Sequence, residues 1–173
     1  MPTFPAFLRL GLIALAASLS GCAHYQLGTG AESPAFRTIY VAPVRNSAAL
    51  PQAVATFSRE IRNAFANDGR VQLASSAGTA DAVLTINLTD FDRTFTSVQP
   101  TDTALARKFD LKITARCTLE DRRNGRILFA DREIHVTRQI FVDDGQNPAE
   151  YQVQPQLAAQ LADRVIHSVL DVW

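Results

Sequence analysis

The chain has 173 residues, of which 47% are hydrophobic and 20% are charged, a composition typical of a globular protein that buries a real core. Its 17 basic and 17 acidic residues give a formal net charge of zero, which excludes a global attraction to nucleic acid or to anionic membranes. Any anion-binding role therefore has to come from a local patch.

The first 21 residues follow the order of features of a secretory signal peptide. Arg9 precedes an apolar run over residues 10–19, and Ser20-Gly21-Cys22 follows it. The run is shorter than the roughly 20 apolar residues of a membrane-spanning helix. Small residues before a cysteine resemble the lipobox of bacterial lipoproteins, which implies cleavage before Cys22, a diacylglycerol on its sulfur and an acyl chain on its new amino group. The alternative is an ordinary signal peptide with an incidental Cys22.

The residues after the anchor predict a tether and an address. In the sorting rule of this class, Asp after the cysteine retains the protein at the inner membrane, whereas here Ala23 follows. The resemblance therefore implies the outer membrane, on its periplasmic side. Residues 22–35 hold two glycines and Pro34 with little periodicity, and they predict a lipidated tether before a single domain over residues 36–173.

The first half of the domain predicts a strand, a helix and two further strands. Residues 36–44 are apolar and rich in β-branched side chains, which predicts a strand. Apolar residues recur at helical spacing over about residues 50–68, and Gly69 suits the end of that helix. Residues 71–74 predict a short strand, and residues 84–89 alternate as a half-buried strand does. The predicted buried stripe of the helix consists of Val54, Phe57, Ile61 and Phe65.

The second half predicts a long hairpin and a final helix. Apolar and polar residues alternate over residues 109–120, Asn124-Gly125 predicts a tight turn, and residues 126–142 return with apolar residues on one parity. That parity consists of Leu128, Ala130, Ile134, Val136, Ile140 and Val142. A loop over residues 143–148 precedes a helix predicted from about Pro155 to Leu170.

This order of elements predicts an α/β (α+β) two-layer sandwich. Both helices pack on one face of a mostly antiparallel or mixed sheet of four to five strands, and the polar face stays open. Cys117 falls on the apolar parity of its strand, so we interpret it as a small buried hydrophobe rather than a reactive thiol.

The common patterns of catalytic and metal sites do not occur in the sequence. His24, His135 and His167 are far apart, and none has the spacing of metal ligands. Asp143-Asp144 lacks the spaced acidic ligands of a cation loop, and neither a phosphate-binding glycine loop nor a Gly-x-Ser-x-Gly elbow is found. We therefore predict that the protein is not an enzyme and binds no metal or cofactor beyond the acyl chains at Cys22.

Several segments, in this order and spacing, resemble the LptE family of lipopolysaccharide-assembly lipoproteins. They are Gly21-Cys22-Ala23-His24-Tyr25-Gln26-Leu27 and residues 39–46, 65–70, 80–84, 121–128 and 162–173. Two departures are that Ala23 replaces the family's usual Gly and that His24-Tyr25 reverses the usual aromatic-then-His order. The resemblance implies a protein that sits inside the lumen of the outer-membrane barrel LptD, plugs it, assists its assembly and binds lipopolysaccharide.

A ligand with phosphates and acyl chains requires Arg or Lys near apolar surface. Arg93 and the pair Arg107-Lys108 flank the loop between two long strands, so we predict that they meet lipopolysaccharide at one tip. The apolar contacts expected there are Phe91, Phe95 and Val98. One alternative is that these charges only keep strand ends soluble.

Two other polar surfaces compete with this tip. The open sheet face suits a wet barrel interior, although it could equally face water. Its polar residues include Lys112, Thr114, Arg116 and Thr118. The cluster of Arg122, Arg123 and Arg126 lies at the opposite tip, and we interpret it as a solvated hairpin.

Two other classes of function compete with lipopolysaccharide assembly. An outer-membrane lipoprotein that activates a cell-wall synthase or a secretion channel is the first, because such proteins resemble residues 39–46 and the helix that follows. The long hairpin over residues 109–142 favours the lipopolysaccharide interpretation. A small periplasmic hydrolase is the second, and the missing catalytic residues disfavour it.

Overall fold

A computed structural model of the chain describes residues 34–50, 52–97, 107–142 and 146–171, without the side chains of residues 95–97, 107, 141–142 and 146–149. All of these residues belong to one compact unit, which spans Ala31–Trp173. The predicted signal peptide, Cys22, Ala23, His24 and Val98 lie outside the described residues, as does nearly all of the predicted tether.

The described residues form six strands and two long helices. They follow one another as β1 (Thr38–Val41), β2 (Arg45–Asn46), α1 (Ala53–Asp68), β3 (Gln72–Leu73), β4 (Ala82–Ser97), β5 (Arg107–Asp121), β6 (Arg126–Val142) and α2 (Gln146–Leu170), with a 3-10 turn at Ala77–Thr79. The strand order is β3-β1-β4-β5-β6, and β2 also pairs with β4. β1 and β2 run parallel to β4, whereas β4, β5 and β6 are antiparallel. The predicted fold class is confirmed, with a somewhat higher strand count.

The predicted first strand is divided in two. Residues 42–44 separate β1 from β2, and Pro43 among them has no N–H to give to a strand ladder. The N–H of Val44 donates instead to the hydroxyl of Ser58 on α1, at 3.0 Å. The interruption lets both short strands pair with β4 while it ties their connection to the helix layer.

Helix α1 buries a slightly different stripe from the predicted one. Ala53, Phe57, Ile61 and Phe65 are fully buried, at i, i+4 spacing, and Gly69 ends the helix with a φ of 77°. Val54 is 43% exposed, so its place in the predicted stripe is wrong. One helical step turns the side chain by about 100°, and that step carries Val54 off the line that Ala53 occupies.

Helix α2 begins at Gln146, earlier than predicted, and contains Pro155 in its interior. The sequence pattern placed the start near Pro155 because the apolar line of the helix begins at Leu157. Pro155 is exposed, so water can hydrate the carbonyl that loses its intrahelical partner. No helix among the described residues is long and apolar enough to cross a membrane.

A bulge in β4 changes which side chains face the helices. The pairing with β5 shifts between Leu88 and Asp90, so that Leu84, Ile86 and Leu88 face the core before the shift, and Phe91 and Arg93 after it. The strand continues to Ser97 instead of ending near residue 89, because its apolar alternation changes phase at the bulge.

A second irregularity lies in β6. Ala130 and Asp131 together face Thr118, and Asp131 has a φ of 49°. Ala130 is exposed, which corrects its place on the predicted buried parity, whereas Ile134, Val136 and Ile140 are buried as predicted. The side chain of Val142 lies outside the described residues.

The hairpin turn between β5 and β6 uses four residues, 122–125, and only Gly125 adopts a positive φ, of 68°. Asn124 contributes its side chain instead, because its Oδ1 accepts the N–H of Arg126 at 2.9 Å.

Candidate functional site

Arg93, the first residue of the predicted lipopolysaccharide tip, lies inside β4 rather than beside the loop. The bulge after Leu88 places Phe91 opposite Ile113 and Arg93 opposite Leu111, and both partners are fully buried. Arg93 is therefore on the face of the sheet that carries the helices. Phe91 is partly buried against the core there.

Arg93 forms a two-point ion pair with Glu150 in the first turns of α2. Its Nε donates to Oε1 at 2.6 Å, and its Nη2 donates to Oε2 at 2.9 Å. These hydrogen bonds hold the pKa of Arg93 above its usual value. The guanidinium also lies 4.8 Å from the centre of the Phe91 ring, a cation–π distance. Arg93 thus connects sheet and helix while part of its side chain remains in solvent.

Lys108 lies on the other face of the sheet. It pairs with Ser97 and Phe141, and its neighbour Phe109 faces the core. Because side chains alternate along a strand, Lys108 shares the open face with Lys112 and Arg116. The structure therefore places Arg93 and Lys108 on opposite faces of the sheet. The prediction that they form a single cluster at one tip is corrected accordingly.

The remaining residues of the predicted tip are only partly described. The backbone of Arg107 pairs with Val142, and its side chain lies outside the described residues. The same holds for the side chain of Phe95, whose backbone pairs with Phe109.

The open face carries a shallow polar groove of about 400 Å³. Arg45 and Arg116 stand on either side of Asn87 in adjacent strands, at the same level of the sheet. The hydroxyl of Ser47 donates to Oδ1 of Asn87 at 3.1 Å, which orients that amide. The groove is lined by Arg45, Thr85, Ile86, Asn87, Thr89, Arg116, Thr118 and Asp131.

Thr114 and Thr118 of the predicted polar face are less available than Arg116. Thr114 is only 7% exposed, although its side chain is on this face. The Thr118 hydroxyl accepts the backbone N–H of Asp131 at 3.1 Å. Arg116 is exposed, and among the described residues it has no hydrogen-bond or ion-pair partner. The face can therefore hydrogen-bond to a polar partner, chiefly through its long cationic side chains.

The described residues include one thiol, Cys117, and two histidines, His135 and His167. No group of three or more His, Cys, Asp or Glu side chains among the described residues is placed to hold a metal ion. Cys117 is buried as predicted, and burial raises the pKa of its thiol to about 12. His167 is exposed, and the Asp163 carbonyl that its ring contacts at 2.7 Å raises its pKa.

Glu150 is the functional candidate that the sequence pattern missed. It precedes the predicted helix start, and a Glu is usually exposed. Its spacing could have identified it, because it lies three residues before Val153 and seven before Leu157. Both of these residues are buried in α2, so Glu150 continues their line on the helix. A buried carboxylate on the apolar line of a helix requires a hydrogen-bonding or ionic partner, and the half-exposed Arg93 is such a partner here.

The family model of LptE, described as "Lipopolysaccharide-assembly", matches residues 36–169 of this chain. No curated protein sequence matches it.

Solved bacterial structures share its fold at low identity. A hypothetical protein from Chlamydia trachomatis is 13% identical, with a TM-score of 0.51 over 77% of this chain and 95% of that chain. A minor lipoprotein from Acinetobacter baumannii is 13% identical, with a TM-score of 0.51 over 77% of this chain and 91% of that chain. A protein from Xanthomonas campestris is 12% identical, with a TM-score of 0.51 over 83% and 88% of the two chains. These three likenesses show a shared fold alone.

Proposed function

Because this chain belongs to the LptE family of lipopolysaccharide-assembly proteins, we propose that it is an outer-membrane lipoprotein that plugs an LptD-like barrel, assists its assembly and binds lipopolysaccharide for delivery to the outer leaflet. The observation that carries the proposal is the family match, which covers residues 36–169 and so includes all six strands, α1 and nearly all of α2. The family is one of non-enzymatic assembly proteins, so the work proposed here is binding.

The proposed anchor is Cys22, carrying a diacylglycerol and an N-linked acyl chain. Each buried methylene contributes about 0.8 kcal/mol, so several chains together hold a protein stably on a membrane. Ala23 directs the protein to the periplasmic side of the outer membrane under the sorting rule of bacterial lipoproteins. The Acinetobacter neighbour is described as a minor lipoprotein, which agrees with this proposal.

The proposed lipopolysaccharide contacts are Arg93, Arg107 and Lys108. A guanidinium has five N–H donors, and two nitrogen atoms of Arg93 each donate one hydrogen bond to Glu150. Other N–H groups of Arg93 therefore remain to bind a phosphate. The Arg93 side chain is 44% exposed. Lys108 supplies charge from the open face, so the ligand would have to reach around this end of the sheet. The open polar face itself is the surface proposed to meet the wet wall of the barrel.

Affinity purification of the full-length protein from detergent-solubilised outer membranes, with mass spectrometry, tests the partner. A large β-barrel in equal amount is the expected result. A cell-wall synthase or a secretion subunit in its place would move the function to the competing class of activator lipoproteins.

Charge reversal tests the ligand site. Arg93→Glu, Arg107→Glu and Lys108→Glu together should abolish lipopolysaccharide binding, measured with purified lipopolysaccharide on the mature protein. Arg122→Glu with Arg126→Glu, at the opposite end of the hairpin, is the matched control. Arg93→Glu also places a second carboxylate beside Glu150. The single variant Lys108→Glu therefore provides a test that keeps the Arg93–Glu150 ion pair. Unchanged binding of lipopolysaccharide by the folded variants would exclude these three residues as its contacts.

A further inference from the structure

The sheet ends on one side in a long strand that no other described strand covers. β6 (Arg126–Val142) is the last strand of the sheet, whereas β3 at the opposite edge is only two residues long. From Arg132 to Val142 its pairing with β5 continues without a bulge. This stretch therefore offers a regular edge about 11 residues long, at roughly 3.3 Å per residue.

The direction of its backbone groups follows from one hydrogen bond. The carbonyl of His135 points away from β5, and Nη1 of Arg164 on α2 donates to it at 2.6 Å. In an antiparallel strand alternate residues direct both their N–H and C=O to the same side. The residues whose backbone groups face outward are therefore Glu133, His135, Thr137, Gln139 and Phe141.

Within the described ranges, these outward groups have no backbone partner. The bonds outside regular helices and strands include none to residues 133–141, and the Arg164 contact is a side-chain cap on one carbonyl. Glu133, His135, Thr137 and Gln139 are all exposed. Natural proteins usually shorten, bend or cover such an edge, since it readily pairs with another strand.

The charges along this edge identify the kind of strand it would accept. Arg132 and Arg138 are on the helix-side face of β6, and Arg164 reaches over the edge from α2. Arg132 bonds to the carbonyl of Ser168 at 2.6 Å, while Arg138 has no described hydrogen bond or ion pair. An added strand would set its side chains of one parity against these arginines, so acidic residues at alternate positions fit best.

We propose that the free edge of β6 is a docking site for an extended segment of a partner polypeptide that carries acidic side chains at alternate positions. The segment adds a strand to the sheet, its backbone bonds to the outward groups of residues 133–141, and its acidic side chains face Arg138 and Arg164. Arg164 leaves the carbonyl of His135 when the segment binds. Docking at this edge does not require the partner to be an LptD-like barrel.

Hydrogen exchange of single amides tests the inference on the full mature chain. The protein is compared in two forms: produced alone in detergent, and purified from native membranes with the proteins it carries. The amides of residues 134, 136, 138 and 140 should be slow in both forms because they bond to β5. Those of residues 133, 135, 137, 139 and 141 should be fast alone and about 100-fold slower in the native preparation. Fast outward amides in the native preparation overturn the proposal, whether or not a barrel is present.

The pair Thr137→Pro and Thr137→Ala separates the backbone from the side chain. Both remove the threonine, but only proline removes the outward N–H, and proline is tolerated on a free edge. In the native preparation, the slow exchange of the remaining outward amides should be kept in Thr137→Ala and lost in Thr137→Pro. If Thr137→Pro does not fold, the double variant Arg138→Glu with Arg164→Glu replaces it and should also lose the slow exchange of the outward amides. Arg126→Glu, at the other end of β6, is the control and should keep it.

Two other occupants have their own signatures. Protection that appears in the isolated protein and falls on dilution would identify a second copy of this chain. Protection of the isolated full chain that is lost when residues 23–33 are deleted would identify the chain's own amino-terminal segment. Either result overturns the assignment of a partner segment.

Discussion

Arg93 and Glu150 join the middle of β4 to the first turns of α2, although 57 positions separate them in the chain. The ion pair is two-point, with N–O distances of 2.6 and 2.9 Å. Its two ends differ in solvation, because the Glu150 side chain is 8% exposed and the Arg93 side chain 44%. This difference makes the two truncations unequal.

Truncation of Arg93 should cost more than truncation of Glu150. Arg93→Ala deprives a buried carboxylate of its cation and should lower the free energy of unfolding by about 2 kcal/mol. Glu150→Ala leaves an arginine that water can solvate, and should cost about 1 kcal/mol. The double variant should cost less than the sum. Urea unfolding measures all three, with Arg59→Ala of the exposed Arg59–Glu60 pair as control. Equal losses in the two single variants would contradict this account.

Helix α1 offers a matched pair of core and surface truncations. Ile61→Ala removes a fully buried side chain and should lower the free energy of unfolding by about 3 kcal/mol. Val54→Ala, at a position 43% exposed, should change it by less than about 0.5 kcal/mol. Thermal or urea unfolding distinguishes the two. A large loss in Val54→Ala would restore Val54 to the buried stripe.

The thiol of Cys117 should be inert in the folded protein. It is fully buried, and burial raises its pKa to about 12, so very little thiolate exists at pH 8. Iodoacetamide should therefore modify it only after denaturant is added. Labelling followed by mass spectrometry gives the rate, and a denatured sample serves as the reference. Rapid labelling of the native protein would show a thiol that the fold exposes.

Asp81 should make the protein sensitive to acid. Its Oδ2 accepts the N–H groups of Thr38 at 2.9 Å and Arg37 at 3.0 Å, which hold its pKa below the usual value. Because the folded pKa is the lower one, this stabilisation is present above about pH 4 and is lost as the pH falls through the folded pKa.

Asp81→Asn removes this titration. The variant should be less stable than wild type by about 1 kcal/mol at neutral pH, and the gap should narrow below about pH 4. Urea unfolding of both proteins, at pH values from about 2 to about 7 in steps of roughly one unit, measures this difference in stability. Asp92→Asn, an exposed acid on the open face, is the control. A gap that stays constant with pH would show that the charge of Asp81 plays no part.

Local periodicity was enough to predict much of the architecture. The alternation over residues 109–120 predicted β5, and the apolar line of Leu157, Leu161, Val165 and Val169 predicted most of α2. Both patterns come from the geometry of a single element, two residues per repeat in a strand and 3.6 in a helix, so they are present in the chain before it folds. The burial of Cys117 followed from the same alternation.

The side of the sheet on which Arg93 lies was decided only by the tertiary structure. Its parity in β4 reverses at the bulge after Leu88, and that bulge exists because β4 pairs with β5 in a particular register. The sequence by itself determined which side chains alternate in each strand. Pairing between strands distant in the chain decided which of them meet α2, because a shift of one residue moves every later side chain to the other face.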